Sequence, residues 1–451
     1  MKIVAVILAA GQGTRMRSDT PKVLHPLVGR PMAWHALEAA RLVTGSQAVM
    51  VVGHGAETVR QVLGEQAACY VVQEPQLGTG HAVLQAKPLL QGNSDLVLVT
   101  YADMPLVRAE TLHQLVAAHQ SHHGPMTMMT VIAPDPRGFG RIVRDAAGQV
   151  LAIVEEAQAT PDQLTIRELN ASLYCFSASW LWPALHRIPL SPKGEYYLTD
   201  LVGLAVADGL PVQALVAEDP SEMIGVNTRI HLAEAEAQLR RRINQQWMLQ
   251  GVTMINPEAT YIEPGVSIGR DTLLWPDTYL HGETSIGAGC ELGPNTIIHD
   301  SQVGDHCTIL ASVLEGARLE DHVEVGPFAR LRKGAHLAQG VHMGNFGEVK
   351  NSYLGPGAKM GHLSYLGDAT VGPDVNIGAG TITCNYDGVH KHPTEIGEGA
   401  FIGSDTMLVA PVKIGKGART GAGAVVTRDV PPFSLAVGVP ARVIRKLVPP
   451  E

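Results

Sequence analysis

An apolar residue recurs every six positions through the second half of this chain, and that period leaves few folds open. Ile262, Ile268, Leu274, Leu280, Ile286, Leu292 and Ile298 follow one another without a miss. The series slips by five to Val303, continues at Ile309, and runs on through Val325, Leu331, Leu337 and Met343. It returns as Ile396, Ile402, Leu408, Ile414, Thr420 and Val426. A helix repeats at 3.6 residues and a strand at 2, so neither brings one side chain inward every six. A parallel β-helix does, because each hexapeptide makes one side of a triangular coil. A glycine often follows the apolar residue, as at Gly269, Gly287, Gly378, Gly397 and Gly415. Its expected task is to let the backbone turn the corner. The rule is expected to lapse between about Met343 and Asp387, where polar segments crowd in, and a repeat that tolerates such inserts does so for function.

The first half reads differently. Short apolar runs at Ile3 to Leu8, Ala48 to Val52 and Leu96 to Thr100 predict buried parallel strands. Met32 to Leu42 and Thr111 to His119 predict amphipathic helices. Such alternation implies a doubly wound, Rossmann-like α/β sheet with ligands at the carboxyl ends of its strands. From Thr228 to Gln250 the spacing of Leu232, Ala235, Leu239, Ile243 and Trp247 predicts one linking helix. The expected division is therefore 1–227, a linking helix over 228–250, and a β-helix over 251–451.

A chain of 451 residues with 45% hydrophobic and 17% charged content is globular in composition. Its net charge of -9 argues against holding nucleic acid over a broad surface. The five cysteines form no C-x-x-C pair and their number is odd, so neither a zinc site nor a disulfide framework is expected, and a cytoplasmic setting is. The apolar run at Ile3 to Leu8 is too short to span a membrane.

Two constellations carry chemistry. After the first strand comes Leu8-Ala9-Ala10-Gly11-Gln12-Gly13-Thr14-Arg15-Met16, then Pro21-Lys22. Glycines there let backbone N–H groups close on a phosphate or a base, and Arg15 and Lys22 can neutralise a triphosphate and its leaving pyrophosphate. Further on stand Gln73, Gln76-Leu77-Gly78-Thr79-Gly80-His81-Ala82, Tyr101-Ala102-Asp103-Met104-Pro105, Gly138-Phe139-Gly140-Arg141-Ile142, Glu155 and Asn170. In the second half, the irregular stretch holds Gly344-Asn345-Phe346-Gly347-Glu348-Val349-Lys350, Gly361-His362-Leu363-Ser364-Tyr365, Asn376-Ile377-Gly378-Ala379 and Asn385-Tyr386-Asp387.

The first set resembles the signature of the sugar-1-phosphate nucleotidyltransferases, and the second resembles the hexapeptide-repeat acyltransferases, which coil left-handed. Together, over essentially the whole chain, they resemble the bifunctional N-acetylglucosamine-1-phosphate uridylyltransferase/glucosamine-1-phosphate acetyltransferase family. The resemblance implies acetyl transfer from acetyl-CoA to glucosamine-1-phosphate, then uridylyl transfer from UTP to N-acetylglucosamine-1-phosphate. It implies Mg²⁺ held by Asp103 and Asn227, although Asn227 also stands where it could cap the linking helix. It assigns Leu8, Ala9, Ala10, Gly11, Gly13, Lys22, Gln73, Gly78, Thr79 and Tyr101 to the nucleotide, and Gly140, Glu155 and Asn170 to the sugar. It makes His362 the base that takes the ammonium proton, with Glu348 orienting its ring. Arg332, Lys350, Tyr365, Asn376 and Lys391 match positions that hold the sugar phosphate. Ala379, Asn385, Tyr386, Ser404 and Ala422 match the acetyl-CoA groove, and Arg442 in the tail is a further CoA-phosphate candidate. A homotrimer follows from the same resemblance. The family's usual Asn-Thr-Gly is replaced by Asn170-Ala171-Ser172. One alternative keeps nucleotidyl transfer alone, with the β-helix as an oligomerisation and regulatory module, and another is a non-catalytic scaffold. Intact His362 and Lys350 argue against the first, and intact Arg15, Lys22 and Asp103 against the second.

Overall fold

The structure is a computed structural model that describes residues 1–133, 135–136 and 138–448. The chain forms two compact units, Met1–Leu239 and Arg240–Glu451.

In the first unit a mixed sheet runs in the order Val212–Val216, Met126–Ile132, Glu168–Ser177, Leu96–Tyr101, Ile3–Ala9, Val49–Val52, Cys69–Val72. The last four strands are parallel; the apolar runs predict three of them, and Cys69–Val72 is an addition. Glu168–Ser177 is antiparallel to both of its neighbours, so the sheet is mixed rather than wholly parallel. Helices Met32–Thr44 and Ala109–Ser121 cover it. Four strands end at one edge, where Gly11, Gly53, Gln73 and Asp103 follow them.

Strand Glu168–Ser177 carries a bulge between Asn170 and Leu173 against Met126–Ile132. Ser172 sits in that bulge at φ 59°, and its amide donates to Asn170 Oδ1 at 3.0 Å. A side chain in the left-handed region crowds its own carbonyl, which costs about 1–2 kcal/mol.

In the second unit three parallel sheets of 12, 10 and 9 strands form the sides of a β-helix, the first ending in an antiparallel hairpin of Ser434–Gly438 with Ala441–Lys446. The inward row is buried throughout. Two expectations change. The repeat does not lapse after Met343: Val349, Leu354, Met360, Leu366, Val371 and Ile377 continue it inward, with slips of five at Leu354 and Val371. The one long insert lies between strands Ile382–Cys384 and Thr394–Ile396. Nor do the glycines after the apolar residues turn the corner through a left-handed backbone. Gly269, Gly287, Gly378, Gly397 and Gly415 are absent from the left-handed region, which Asp271, Asp277, His306 and Phe328 among others occupy. Those glycines are needed because coils stack closely: a Cβ at Gly269 would lie 2.5 Å from the Ala288 amide nitrogen, and one at Gly415 would lie 2.4 Å from that of Pro432.

Helix Arg229–Leu249 runs through the division between the units. Leu232, Ala235 and Leu239 pack with Leu27, Met32, Leu106 and Val226 in the first unit. Ile243 and Trp247 pack on the β-helix core in the second, where buried Asn244 donates to the carbonyls of Pro257 and Thr260 at 2.7 and 2.9 Å.

The strain at Ser172 gives a stability prediction. Ser172→Gly is expected to stabilise the first unit by about 0.5–1 kcal/mol, the relief of the left-handed penalty less the extra entropy glycine loses on folding. A higher urea midpoint for that unit's unfolding transition is the expected reading.

Candidate active sites

In the first unit the strand ends open into a cleft of about 550 Å³. Leu8, Ala9, Ala10, Gly11, Lys22, Gln73, Gly78, Thr79, Tyr101 and Asp103 all line it. The glycines have steric reasons. A Cβ at Gly13, which has φ 64°, would come within 2.6 Å of Lys22 Cβ. A Cβ at Gly78 would meet the Tyr196 carbonyl at 2.7 Å. The two loops could not pass their neighbours with any larger residue.

At the floor, Lys22 Nζ donates to Asp103 Oδ2 and, at 3.2 Å, to Asn227 Oδ1. Two hard oxygens thus converge on one cation. Asn227 is free for this because Thr228 caps the linking helix, its Oγ1 accepting from the His231 amide at 3.2 Å. Among the described residues no three His, Cys, Asp or Glu side chains cluster as metal ligands. An oxygen pair of this kind suits a hard divalent ion that takes its remaining ligands from phosphates and water. Arg15 is exposed on the short turn Thr14–Met16, directly after the glycine loop.

Gln73 is buried, and its Nε2 donates to the Gly78 carbonyl at 2.9 Å. Burial holds the Tyr101 hydroxyl well above the usual phenol range, and it bonds Thr79. Around the neighbouring strands, Asn170 is buried and pairs with the Tyr174 hydroxyl, and its amide donates to the Gly140 carbonyl at 2.8 Å. The Glu155 carboxyl accepts from Thr199 Oγ1 at 3.2 Å; burial, with Asp200 nearby, raises its pKa. Gly140 and Glu155 adjoin, since a Cβ on the glycine would lie 3.7 Å from Glu155 Oε1. Sequence reading gave Gln76 no role of its own, yet its Nε2 donates to the Ala10 carbonyl at 2.7 Å and pins the glycine loop. Its partner lies 66 residues away, beyond any local pattern.

In the second unit the parallel register decides who meets whom. Asn345 lies directly against His362 in the next coil, and its Oδ1 is 2.8 Å from His362 Nδ1. Glu348 makes its hydrogen bond elsewhere. It lies on the next face, paired in register with Arg330 and Tyr365, and its Oε1 accepts from Arg332 Nη1 at 2.8 Å. The hydrogen bond to the histidine ring thus comes from Asn345, while the Glu348 carboxylate is engaged by Arg332.

Arg332, Lys350 and Lys391 form a cationic cluster. Contact with Lys391, and then the charge of Arg332, lowers the Lys350 pKa. Three cations held this close favour an anion such as phosphate. The insert that delivers Lys391 is a tight loop built on Asp387. Its carboxylate accepts from the amides of Val389 and His390 at 2.8 and 2.6 Å and from His392 Nε2 at 2.7 Å. Those bonds hold the Asp387 carboxyl at a pKa of about 2. Asn385 at the loop's base is 8% exposed and donates to Asp368 Oδ2 at 2.6 Å. A Cβ at Gly367 would lie 2.3 Å from the Tyr365 hydroxyl and 2.7 Å from Asn385 Nδ2, so Tyr365 and Asn385 both border that glycine.

Other expected residues stand apart. Asn376 lies on the first sheet in register with Lys359 and Phe401, whereas the Arg332, Lys350 and Tyr365 strands belong to the second. Ala379, Ser404 and Ala422 follow inward residues of that first sheet at one corner of successive coils: the Ala379 carbonyl accepts from the Asp405 amide at 2.6 Å, and the Ser404 carbonyl from that of Gly423 at 2.8 Å. Tyr386 and Arg442 are exposed, the latter in the terminal hairpin.

Comparison with known proteins agrees with both halves. A MobA-like NTP transferase domain matches residues 5–176, and a bacterial transferase hexapeptide domain of six repeats matches 393–428. A bifunctional protein GlmU from Heliobacterium modesticaldum is 50% identical over 97% of this chain and 95% of its own length. Those from Pelobacter propionicus and Streptococcus equi are 48% and 45% identical, over 98% and 99% of this chain and 97% of their own. The chain therefore belongs to the bifunctional GlmU family and is an enzyme with two transferase activities, acetyl transfer to glucosamine-1-phosphate and uridylyl transfer to N-acetylglucosamine-1-phosphate.

Proposed function

We propose the following division of labour between the two sites. In the first unit UTP lies in the strand-end cleft, its base against Gln73 and Gly78 and its phosphates against the Ala9–Gly13 loop. Arg15 and Lys22 balance the phosphate charge, including that gathering on the pyrophosphate as it leaves. A phosphate oxygen of N-acetylglucosamine-1-phosphate attacks the α-phosphorus, and the sugar rests on Gly140, Glu155 and Asn170. Mg²⁺ held by Asp103 and Asn227 would screen the reacting phosphates. The observation that carries this reading is the convergence of Asp103 and Asn227 on Lys22 at the cleft floor.

In the second unit His362 takes the ammonium proton of glucosamine-1-phosphate, and the free amine attacks the thioester carbonyl of acetyl-CoA, expelling the CoA thiolate. Arg332, Lys350 and Lys391 bind the sugar phosphate, with Tyr365 beside them and Asn376 completing the set. CoA runs along Ala379, Asn385, Tyr386, Ser404 and Ala422, with Arg442 near its phosphates.

The enzyme works as a homotrimer in the cytoplasm, where UTP and acetyl-CoA are made. Two observations support assembly. Asn376 lies on a different face from the cationic cluster, so one chain leaves the set open. Phe328 and Phe346 stack at 5.8 Å on an exposed edge that continues to Leu363 beside His362, the kind of apolar ridge that a neighbouring molecule covers. No helix among the described residues is long and apolar enough to cross a membrane.

Separate variants probe the two sites. Asp103→Ala is expected to abolish uridylyl transfer and spare acetyl transfer, while His362→Ala lowers acetyl transfer by roughly 10²–10⁴-fold and spares uridylyl transfer. Pyrophosphate release and CoA release, assayed separately, check both, and a parallel loss of the two activities in a folded variant would refute the two-site division. Asp387→Ala loosens the loop that carries Lys391, so KM for glucosamine-1-phosphate should rise about tenfold or more, with uridylyl transfer unchanged. Because the folded pKa of Asp387 is depressed, its support for the loop is complete above the unfolded value of about 3.9 and fades as pH falls toward about 2. KM should accordingly gain no contribution from this group across neutral pH. For assembly, sedimentation should give a trimer, and mixing His362→Ala chains with Asn376→Ala chains should restore part of the acetyl transfer. An active monomer would sink the shared-site reading.

A further inference from the structure

We propose that Asn345 is the positioning residue for His362: its side-chain carbonyl holds the ring through Nδ1–H and leaves Nε2 as the nitrogen that takes the proton. This rests on the reading of His362 as the base. Hydrogen-bond chemistry sets the tautomer. Asn345 Oδ1 lies 2.8 Å from His362 Nδ1, and an amide oxygen only accepts, so Nδ1 carries the hydrogen and Nε2 keeps its lone pair.

The juxtaposition is built into the backbone. Asn345 and His362 are register partners on adjacent parallel strands. The Leu363 amide donates to the Asn345 carbonyl at 3.0 Å, and Ser364 Oγ donates to the His362 carbonyl at 2.8 Å. Gly344 lets the two strands close just before the pair, since a Cβ there would fall 2.0 Å from the Gly361 carbonyl oxygen. The ring therefore has a partner fixed on both sides by main chain.

The partner's neutrality matters as much as its place. The titratable and charged groups around the ring are Lys359 on its own strand, His342 on the strand before, and Glu348 and Tyr365 across the corner. His342 is paired with Glu324 at 2.8 Å and Glu348 with Arg332 at 2.8 Å. On the strand after, Asn376 is uncharged. A carboxylate on Nδ1–H would favour the imidazolium and withhold the base at neutral pH. An amide fixes the tautomer without placing a charge beside the ring, so Nε2 is turned outward with its lone pair.

The test uses the full chain, with CoA release measured from about pH 5.5 to 9 and uridylyl transfer as the check on folding. Asn345→Ala should lower kcat for acetyl transfer about tenfold or more while KM for glucosamine-1-phosphate stays within about twofold. Asn345→Asp, nearly the same shape, should keep the ring oriented but move the acidic limb of kcat/KM upward by about one pH unit. An unchanged kcat in Asn345→Ala, or an unmoved limb in Asn345→Asp, overturns the positioning role while His362→Ala is inactive. Full acetyl transfer by His362→Ala would instead remove the base reading, and this inference with it.

Discussion

The coil-on-coil hydrogen bonding of the β-helix is the constraint on which the acetyl-transfer half depends. Along each side of the coil, successive strands pair in parallel register from one turn to the next, up to the terminal hairpin. A residue therefore meets, across the sheet, whatever stands one coil away and nothing nearer in sequence. The pairing sets Asn345 against His362 and keeps Glu348 beside Arg330 and Tyr365. The slips of five at Leu354 and Val371 shorten the local coil and so decide which side chains come level. Close stacking in turn demands the glycines, because a Cβ at those places would strike the next coil's backbone.

The uridylyl half uses a different constraint. Parallel strands ending together bring loops that are distant in sequence to one edge. Lys22, Asp103 and Asn227 come from three such segments and meet in one hydrogen-bonded group. The loop glycines allow that meeting, and Gln76 ties the loop to the rim of the cleft. In both halves the main chain fixes the positions, and a few polar side chains do the chemistry.

Both fold classes were legible in the residue order, and for physical reasons. A buried row every six residues has few geometric solutions, so Ile262 to Ile298 named the β-helix on their own. Apolar runs such as Ile3 to Leu8 alternating with helical spacing implied parallel strands. Motif strings picked out Lys22 and Asp103, the family resemblance added Asn227, and the three meet in space. Sequence alone left Asn227 between a ligand and a helix cap, and in the structure it is Thr228 that takes the cap.

What the sequence could not decide was every partnership that crosses a turn of the coil or an edge of the sheet. His362 was visible in its motif, but its partner Asn345 lies 17 residues away, and whether Asn345 or Glu348 reaches the ring depends on which side of a corner each falls. The need for the repeat's glycines is hidden for the same reason, since the obstacle to a Cβ is the backbone of the next coil. The six-residue period determined the shape of the coil because burial repeats locally. The register that pairs one coil with the next, and with it the surroundings of His362 and Lys391, exists only once the chain has wound back on itself.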